Sequence, residues 1–150
     1  MFKEEKDFKL MPCPVPDSCW YSNLRTLLPA KVWDTIRKDA YARAEGRCMI
    51  CNRPAKRLEA HEDWSYDEQE CVQKLERVLA LCHDCHSVIH IGRTQLIGDE
   101  DRAIKHFCKV NGCSYSDYRK ALAIANELHV RRNRVSEWKL DVSVIANFFK

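Results

Sequence analysis

Two short stretches decide the fold of this chain: Cys-Met-Ile-Cys at residues 48–51 and Cys-His-Asp-Cys-His at residues 82–86. Each places two thiols on one tight turn at the C-x2-C spacing of a zinc knuckle, and two knuckles together supply the four ligands of a tetrahedral zinc ion. We therefore predict a closed, structural zinc site that fastens the ends of the intervening segment together. Its ligands would be Cys48, Cys51, Cys82 and Cys85.

The nine cysteines of the chain allow two other interpretations. Disulfides belong mainly to exported proteins, and the start of the chain, MFKEEKDFKL, is too charged for a secretory signal. Residues 82–86 also match the C-x2-C-H motif of haem attachment, which would require export and leave the first knuckle unexplained. We therefore expect reduced thiols and no haem, with the other five cysteines buried as small apolar side chains.

Composition indicates a helix-rich domain with a modest core, since 45% of the 150 residues are hydrophobic and 31% are charged. No apolar run approaches the roughly 18–20 residues that a membrane helix needs, so we expect no membrane partner. We divide the chain into an extended N-terminal segment (residues 1–28), a zinc-stapled core (29–98) and a helical C-terminal extension that ends in a short strand (99–150). Three prolines make the first segment extended, and Trp20 and Tyr21 are expected to anchor it.

The core segment is predicted to contain both helices and strands. Apolar spacing predicts a helix over residues 29–45, then a strand at 57–61 and an acidic loop at 62–70. Residues 74–81 fit a strand or a helix by period alone, and we assign their second half to a strand because it must deliver Cys82 to the zinc. A helix over 85–91 then places two histidines on one face.

The C-terminal extension has clear capping signals. Asp99 and Gly112 bound one predicted helix, and Ser114 or Ser116 begins a longer one that runs to about residue 132. Strict alternation over residues 138–144 predicts a short strand. His106 and His129 lie on these helices, away from the knuckles, and we expect ordinary roles for both.

Positive charge is concentrated beside the first knuckle. Between residues 31 and 57, eight cations face three carboxylates, and three arginines cluster near the end of the chain. Positive surface next to a metal site suits a phosphodiester ligand, although solvated helix faces carry similar charges. The predicted nucleic-acid contacts are Arg37, Lys38, Arg53, Lys56, Arg57, Arg131, Arg132 and Arg134.

The order strand, loop, strand and helix between two knuckles resembles the HNH, or ββα-metal, endonuclease family. The resemblance is carried by LEAHE at 58–62, LALC at 79–82 and the histidines that follow the second knuckle. It implies an α+β fold with a ββα-metal core, a DNA substrate and a cytoplasmic setting in a bacterial or phage-infected cell. Flanking stretches such as HEDWSYD at 61–67 are similar to bacterial and phage HNH endonuclease-like proteins, in which an HE pair is usual.

The resemblance also implies roles for individual residues. His61, His86 and His90 would bind a catalytic divalent metal such as Mg, Mn, Ni or Zn, which stabilises charge on the phosphate and the leaving oxygen. Glu62 would be the general base or an additional ligand, and Arg77 would contact the scissile phosphate. The alternative for the histidines is a polar surface role, or replacement of a cysteine as zinc ligand.

Two positions depart from the family pattern. Glu62 stands where the family keeps a catalytic histidine, and Arg77 where it keeps an asparagine. Glutamate is a weaker base than histidine near neutral pH. The sequence therefore predicts an HNH-type endonuclease, with a catalytically inactive zinc module that binds nucleic acid or a protein partner as the alternative.

Overall fold

The computed structural model describes residues 7–149, which form a mixed α+β fold in agreement with the predicted class. The helices are α1 (Leu24–Leu27), α2 (Ala30–Ala44), α3 (His83–Ile89), α4 (Ile91–Leu96), α5 (Glu100–Asn111) and α6 (Tyr115–Asn133). The strands are β1 (Glu59–Asp67), β2 (Val72–Leu81) and β3 (Lys139–Asp141), and short 3-10 helices span Asp17–Cys19 and Ser143–Phe149. None of the helices within residues 7–149 has the length and apolar character needed to cross a bilayer.

The three strands form one sheet in the order β1, β2, β3, so that β1 is an edge strand. β1 and β2 are antiparallel, with Glu59 opposite Leu81 at the end nearest the knuckles, and β3 joins β2 in parallel. The pairing register between β1 and β2 shifts by one residue between Asp63 and Trp64. This β-bulge changes which side of the sheet the side chains of β2 face before and after it. Alternate residues of β2 therefore do not keep to one side of the sheet along the whole length of the hairpin.

The predicted acidic loop over residues 62–70 is wrong in its extent, because β1 continues to Asp67. Within this stretch Asp63 lies opposite Arg77 of β2 and pairs with it across the hairpin at 2.9 Å. Cross-strand ion pairs of this kind compensate for the low strand propensity of aspartate. The turn itself occupies only residues 68–71, where the Asp67 side chain accepts two backbone N–H groups at 3.0 Å.

Two hydrophobic clusters cover the two faces of β2. The first packs against α3, α5 and α6 and includes Leu79, Leu81, Val88, Phe107 and Tyr118. The second packs against α1 and α2 and includes Leu24, Trp33, Ile36, Leu75 and Val78. Because strand residues alternate between faces, β2 is held from both sides and fixes the position of the residues that follow it.

The N-terminal segment is anchored differently from the prediction. Trp20 and Tyr21 are 62% and 81% exposed, so they do not anchor it. Leu10 and Leu24 are buried instead, and the Asn111 side chain bonds the backbone N–H and C=O of Leu10. The segment also contains α1, so it is not extended throughout, and residues 1–6 of it lie outside the described residues.

The C-terminal helices begin and end near the predicted residues. Asp99 is the N-cap of α5, Gly112 ends it with φ +61°, and Ser114 and Asp117 form a capping box for α6. The predicted strand at 138–144 shortens to Lys139–Asp141. It ends there because the Asp141 carboxylate accepts the backbone N–H of Ser143 at 3.0 Å and its hydroxyl at 2.7 Å, which turns the chain.

Candidate metal centres and the cavities beside them

The first knuckle is a tight turn tied to the sheet. It follows α2, and the backbone N–H of Asn52 bonds the carbonyl of Cys48 at 2.9 Å, with Asn52 in the left-handed region at φ +63°. The N–H of Met49 bonds the carbonyl of Ala80 on β2 at 3.0 Å. This bond brings the first knuckle to the end of β2, where the second knuckle begins.

The second knuckle is the N-terminus of α3. Cys82 is the N-cap residue, and its sulfur accepts the backbone N–H of Cys85 at 3.4 Å. An N–H group aimed at sulfur at the positive end of a helix favours the thiolate, which is the form that binds metal. The helix start therefore prepares Cys82 as a ligand.

Four sulfurs come together as the spacing predicts, and we name Cys48, Cys51, Cys82 and Cys85 the cysteine group. All four Sγ atoms lie within 4.8 Å of one another, and those of Cys51 and Cys82 are 3.8 Å apart. Four sulfurs arranged tetrahedrally at 2.3 Å from zinc are separated by about 3.8 Å, so the geometry fits the ion. Hydrogen bonds from Cys82 and Cys85 lower the pKa of Cys48, which favours a thiolate within the group. The cysteine group could hold a structural metal such as zinc.

His106 contacts the cysteine group, so the prediction that it lies away from the knuckles is wrong. Its ring Nε2 lies 3.1 Å from Cys85 Sγ, and the side chain is buried. Hydrogen bonds to ligand atoms orient them and tune metal affinity. Only the packing of α5 against α3 reveals this contact, because 21 residues separate the two side chains in the chain.

We expect His106→Ala to weaken zinc retention about tenfold to a hundredfold, the range typical for loss of a group that orients a metal ligand. Competition with a chromogenic chelator measures this affinity. His106→Gln keeps a donor and should lose less, whereas His129→Ala, a histidine on α6 far from the group, should retain zinc like the parent. An unchanged affinity in His106→Ala would show that the contact to Cys85 does not act on the metal.

A second group of possible ligands consists of His61, His86 and His90, which we name the histidine group. One nitrogen from each ring lies within 4.8 Å of the other two, and the ring centroids are 4.7–5.4 Å apart. His61 lies on edge strand β1, and His86 lies on α3. His90 follows the last turn of α3 with φ −95° and ψ 53°, so the helix ends earlier than predicted, yet its ring still contacts His86.

Burial keeps His61 and His90 of the histidine group neutral. Desolvation, together with the charges of the neighbouring rings, lowers the pKa of His61 to about 3 and that of His90 to about 4. Neutral imidazole is the form that binds divalent metals. His61 and His90 therefore offer neutral ring nitrogens that suit a divalent cation.

Glu59 is a site residue that sequence reasoning missed. Its Oε1 lies 2.8 Å from His86 Nδ1 and its Oε2 lies 3.0 Å from His83 Nδ1. A carboxylate on Nδ1 fixes the ring orientation and leaves Nε2 available for a metal. The signal was present in the sequence, because Glu59 precedes His61 by two residues and strand residues two apart share a face.

We expect Glu59→Ala to weaken divalent-metal binding by the histidine group about tenfold to a hundredfold, since a freely rotating ring binds less well. Titration calorimetry with Mn²⁺ or Ni²⁺ measures this binding, with the cysteine group already filled. Glu76→Ala is the matched control, because Glu76 is also a strand glutamate but bonds Ser65 instead of a histidine. Equal affinities in Glu59→Ala and the parent would remove Glu59 from the site.

Glu62 lies beside the histidine group without joining it. Its Oε1 accepts the backbone N–H of Leu24, at the start of α1, at 2.7 Å. Among residues 7–149, the carboxylate is not one of the ligands within 4.8 Å of the three rings. The guanidinium of Arg77 forms an ion pair with Asp63. Arg77 lines neither of the cavities described below.

Two adjoining cavities flank the histidine group. The first, which we name the histidine cavity, has a volume of about 570 Å³ and is lined by Glu62 and all three histidines. The second, which we name the basic cavity, has a volume of about 1050 Å³ and is lined by Arg37, Lys56 and Arg57. Both cavities reach His86, so a ligand that spans them passes the histidine group.

The cations predicted to bind nucleic acid lie in different surroundings. Three of them pair with carboxylates: Arg37 with Asp34, Arg53 with Asp84 and Arg131 with Glu68, at 2.7–2.9 Å. Arg132 bonds the carbonyl of Pro14, covers the ring of Tyr66 and lines the histidine cavity. Arg37, Lys56 and Arg57 line the basic cavity, whereas Lys38 and Arg134 line neither.

Two further arginines, missed in the sequence, lie at the rim that the cavities share. Arg25 on α1 and Arg93 on α4 line both cavities and are exposed. Neither belongs to a cluster of cations along the chain, so charge density in the sequence did not single them out. The fold brings both of them to the two cavities that His86 also lines.

No family model, curated protein or solved structure matches this chain. The cysteine group, the histidine group and the two cavities are therefore the features from which a function can be inferred.

Proposed function

We propose that this protein is a metal-dependent endonuclease of the HNH type that hydrolyses phosphodiester bonds of DNA. The observation that carries the proposal is the histidine group, whose three nitrogens lie within 4.8 Å of one another at the wall of a cavity. The β1–β2 hairpin followed by α3 supports it too, since two strands and a helix make up the core of that family. The cysteine group would hold the hairpin and helix in place.

The residues present fit a divalent cation. When bound, such a cation would supply charge stabilisation to the phosphate and to the leaving 3′ oxygen. His61, His86 and His90 would hold it, and Glu59 would orient His86. Three protein ligands leave further coordination positions open, which is the arrangement of catalytic rather than structural metal sites.

Glu62 would be the general base. One of its oxygens accepts the N–H of Leu24, which fixes the carboxylate at the cavity wall. The second oxygen would take a proton from the attacking water as the water oxygen bonds to phosphorus and the 3′ oxygen leaves. Arg77 would not touch the phosphate in this arrangement, since it pairs with Asp63 and does not line the cavity.

The alternative is a catalytically inactive zinc module that binds nucleic acid or a protein partner. The bond between Glu62 and Leu24 favours it, because a carboxylate used to hold α1 has one oxygen fewer for chemistry. In this alternative the protein would bind one zinc in the cysteine group and no exchangeable ion in the histidine group.

Cleavage of plasmid and single-stranded DNA in Mg²⁺, Mn²⁺, Ni²⁺ or Zn²⁺ tests the proposal. We expect cleavage in at least one metal, and loss of it in Glu62→Gln, which keeps an acceptor for the Leu24 N–H but cannot act as a base. Counting bound metal per chain supplies the second measurement. One tightly bound zinc with no cleavage in any metal would favour the inactive module.

A further inference from the structure

Two arginines lie at the rim that the two cavities share. Arg25 and Arg93 project from α1 and α4, both are exposed, and neither pairs with a carboxylate within residues 7–149. Both arginines line the two cavities together with His86. Arginines without a carboxylate partner at the rim of a cavity can bind a phosphate.

The walls of the histidine cavity limit what can enter it. Side chains between residues 13 and 26 of the N-terminal segment form one wall, and β1 forms another. His86 on α3, His90 between the two helices and Arg93 on α4 complete the lining. Its volume of about 570 Å³ is that of a pocket for a drug-sized ligand. A space of this size matches a ligand of about one or two nucleotides, which favours a flexible single strand.

An aromatic ring stands at the same opening. Trp20 lines the histidine cavity and is 62% exposed, whereas most tryptophan side chains are largely buried. Aromatic rings beside a positive groove are the stacking platforms of proteins that bind single-stranded nucleic acid. The position of Trp20 therefore adds a contact for a base to the two contacts for phosphate.

We propose that the histidine cavity takes single-stranded DNA, with a backbone phosphate between Arg25 and Arg93 and a base stacked on Trp20. The strand continues into the basic cavity, where Lys56 and Arg57 contact further phosphates. This inference rests on the proposed function, which it deepens by naming the form of DNA that reaches the histidine group.

Fluorescence anisotropy tests it without any cleavage. A labelled oligothymidylate of about 12 nucleotides and a hairpin duplex of the same length are titrated with the full chain, without added divalent metal. We expect the single strand to bind more tightly than the duplex. Arg25→Ala and Arg93→Ala should each weaken binding of the single strand about tenfold and reduce the slope of log K against log salt by about 0.7.

Trp20→Ala should weaken binding about fivefold or more with no change in the salt slope, because stacking releases no counterions. Arg119→Ala is the matched control, since Arg119 is an exposed arginine on α6 that lines neither cavity. All four positions are exposed, and thermal melting verifies that the variants fold. Tighter binding of the duplex, parental affinity in Arg25→Ala and Arg93→Ala, or an equal loss in Arg119→Ala would overturn the inference.

The outcomes separate this inference from the proposed function. Single-strand binding that depends on Arg25 and Arg93, with no cleavage in any metal, would support the inference and reject the nuclease. Metal-dependent cleavage of duplex DNA by a protein that does not bind the single strand would support the nuclease and reject the inference.

Discussion

Cys51→Ser is expected to release the zinc and to lower the melting temperature by at least about 15 °C, or to prevent folding altogether. Structural zinc contributes about 10–16 kcal/mol in small zinc modules, which is as large as the whole stability of a typical domain, about 5–15 kcal/mol. A serine hydroxyl does not replace a thiolate as a zinc ligand. Loss of one ligand therefore removes most of this contribution.

Metal analysis and thermal melting measure the two effects on the same sample. Cys108→Ser is the matched control, because Cys108 is also a half-buried cysteine beside the first hydrophobic cluster but lies outside the cysteine group. It should keep one zinc per chain and melt within a few degrees of the parent. If Cys51→Ser keeps its zinc and melts like Cys108→Ser, the ligands are assigned wrongly.

His86→Ala is expected to slow metal-dependent DNA cleavage by about 10³-fold or more. A bound cation supplies several kcal/mol of charge stabilisation to the transition state, and each 1.36 kcal/mol corresponds to about a factor of ten in rate. His86 provides one of only three nitrogens in the histidine group. The site therefore has no spare ligand to compensate for its loss.

His83→Ala is the matched control for this prediction. His83 lies three residues before His86 in the same helix and contacts the same carboxylate of Glu59, but it points to solvent and is not part of the histidine group. Cleavage rates under saturating metal should stay within a few fold of the parent in His83→Ala. Equal rates in the parent and in His86→Ala would show that the histidine group does not hold the catalytic ion.

Local signals in the sequence predicted the parts of the site that depend on few residues. The C-x2-C spacing brings two sulfurs onto one turn whatever surrounds it, and capping residues such as Ser114 and Gly112 act within a single helical turn. The prediction of a loop at residues 62–70 was wrong in its extent, because it was based on the acidic composition of this stretch alone. Its ladder partners on β2 make it a strand, and they are identified only once the hairpin register is known.

Contacts between distant elements account for what was missed. His106 reaches Cys85 because α5 packs on α3. The Glu62 carboxylate accepts the backbone N–H of Leu24 at the start of α1. The predicted cations were chosen by their density along the chain, yet several of them pair with carboxylates. Arg25 and Arg93, which lie 68 positions apart in the numbering, meet at one rim.

The sequence by itself determined the cysteine group, since tight turns and thiol ligands depend on covalent geometry over four residues. It also indicated His61, His86 and His90 as possible ligands of a second metal, with Glu62 as a base or an additional ligand. Only the tertiary structure decided that His61, on an edge strand, contacts His86 on α3 and His90 directly after it. That outcome depends on strand register and on two hydrophobic clusters that clamp β2 between helices, and these are sums over many weak contacts that no short motif encodes.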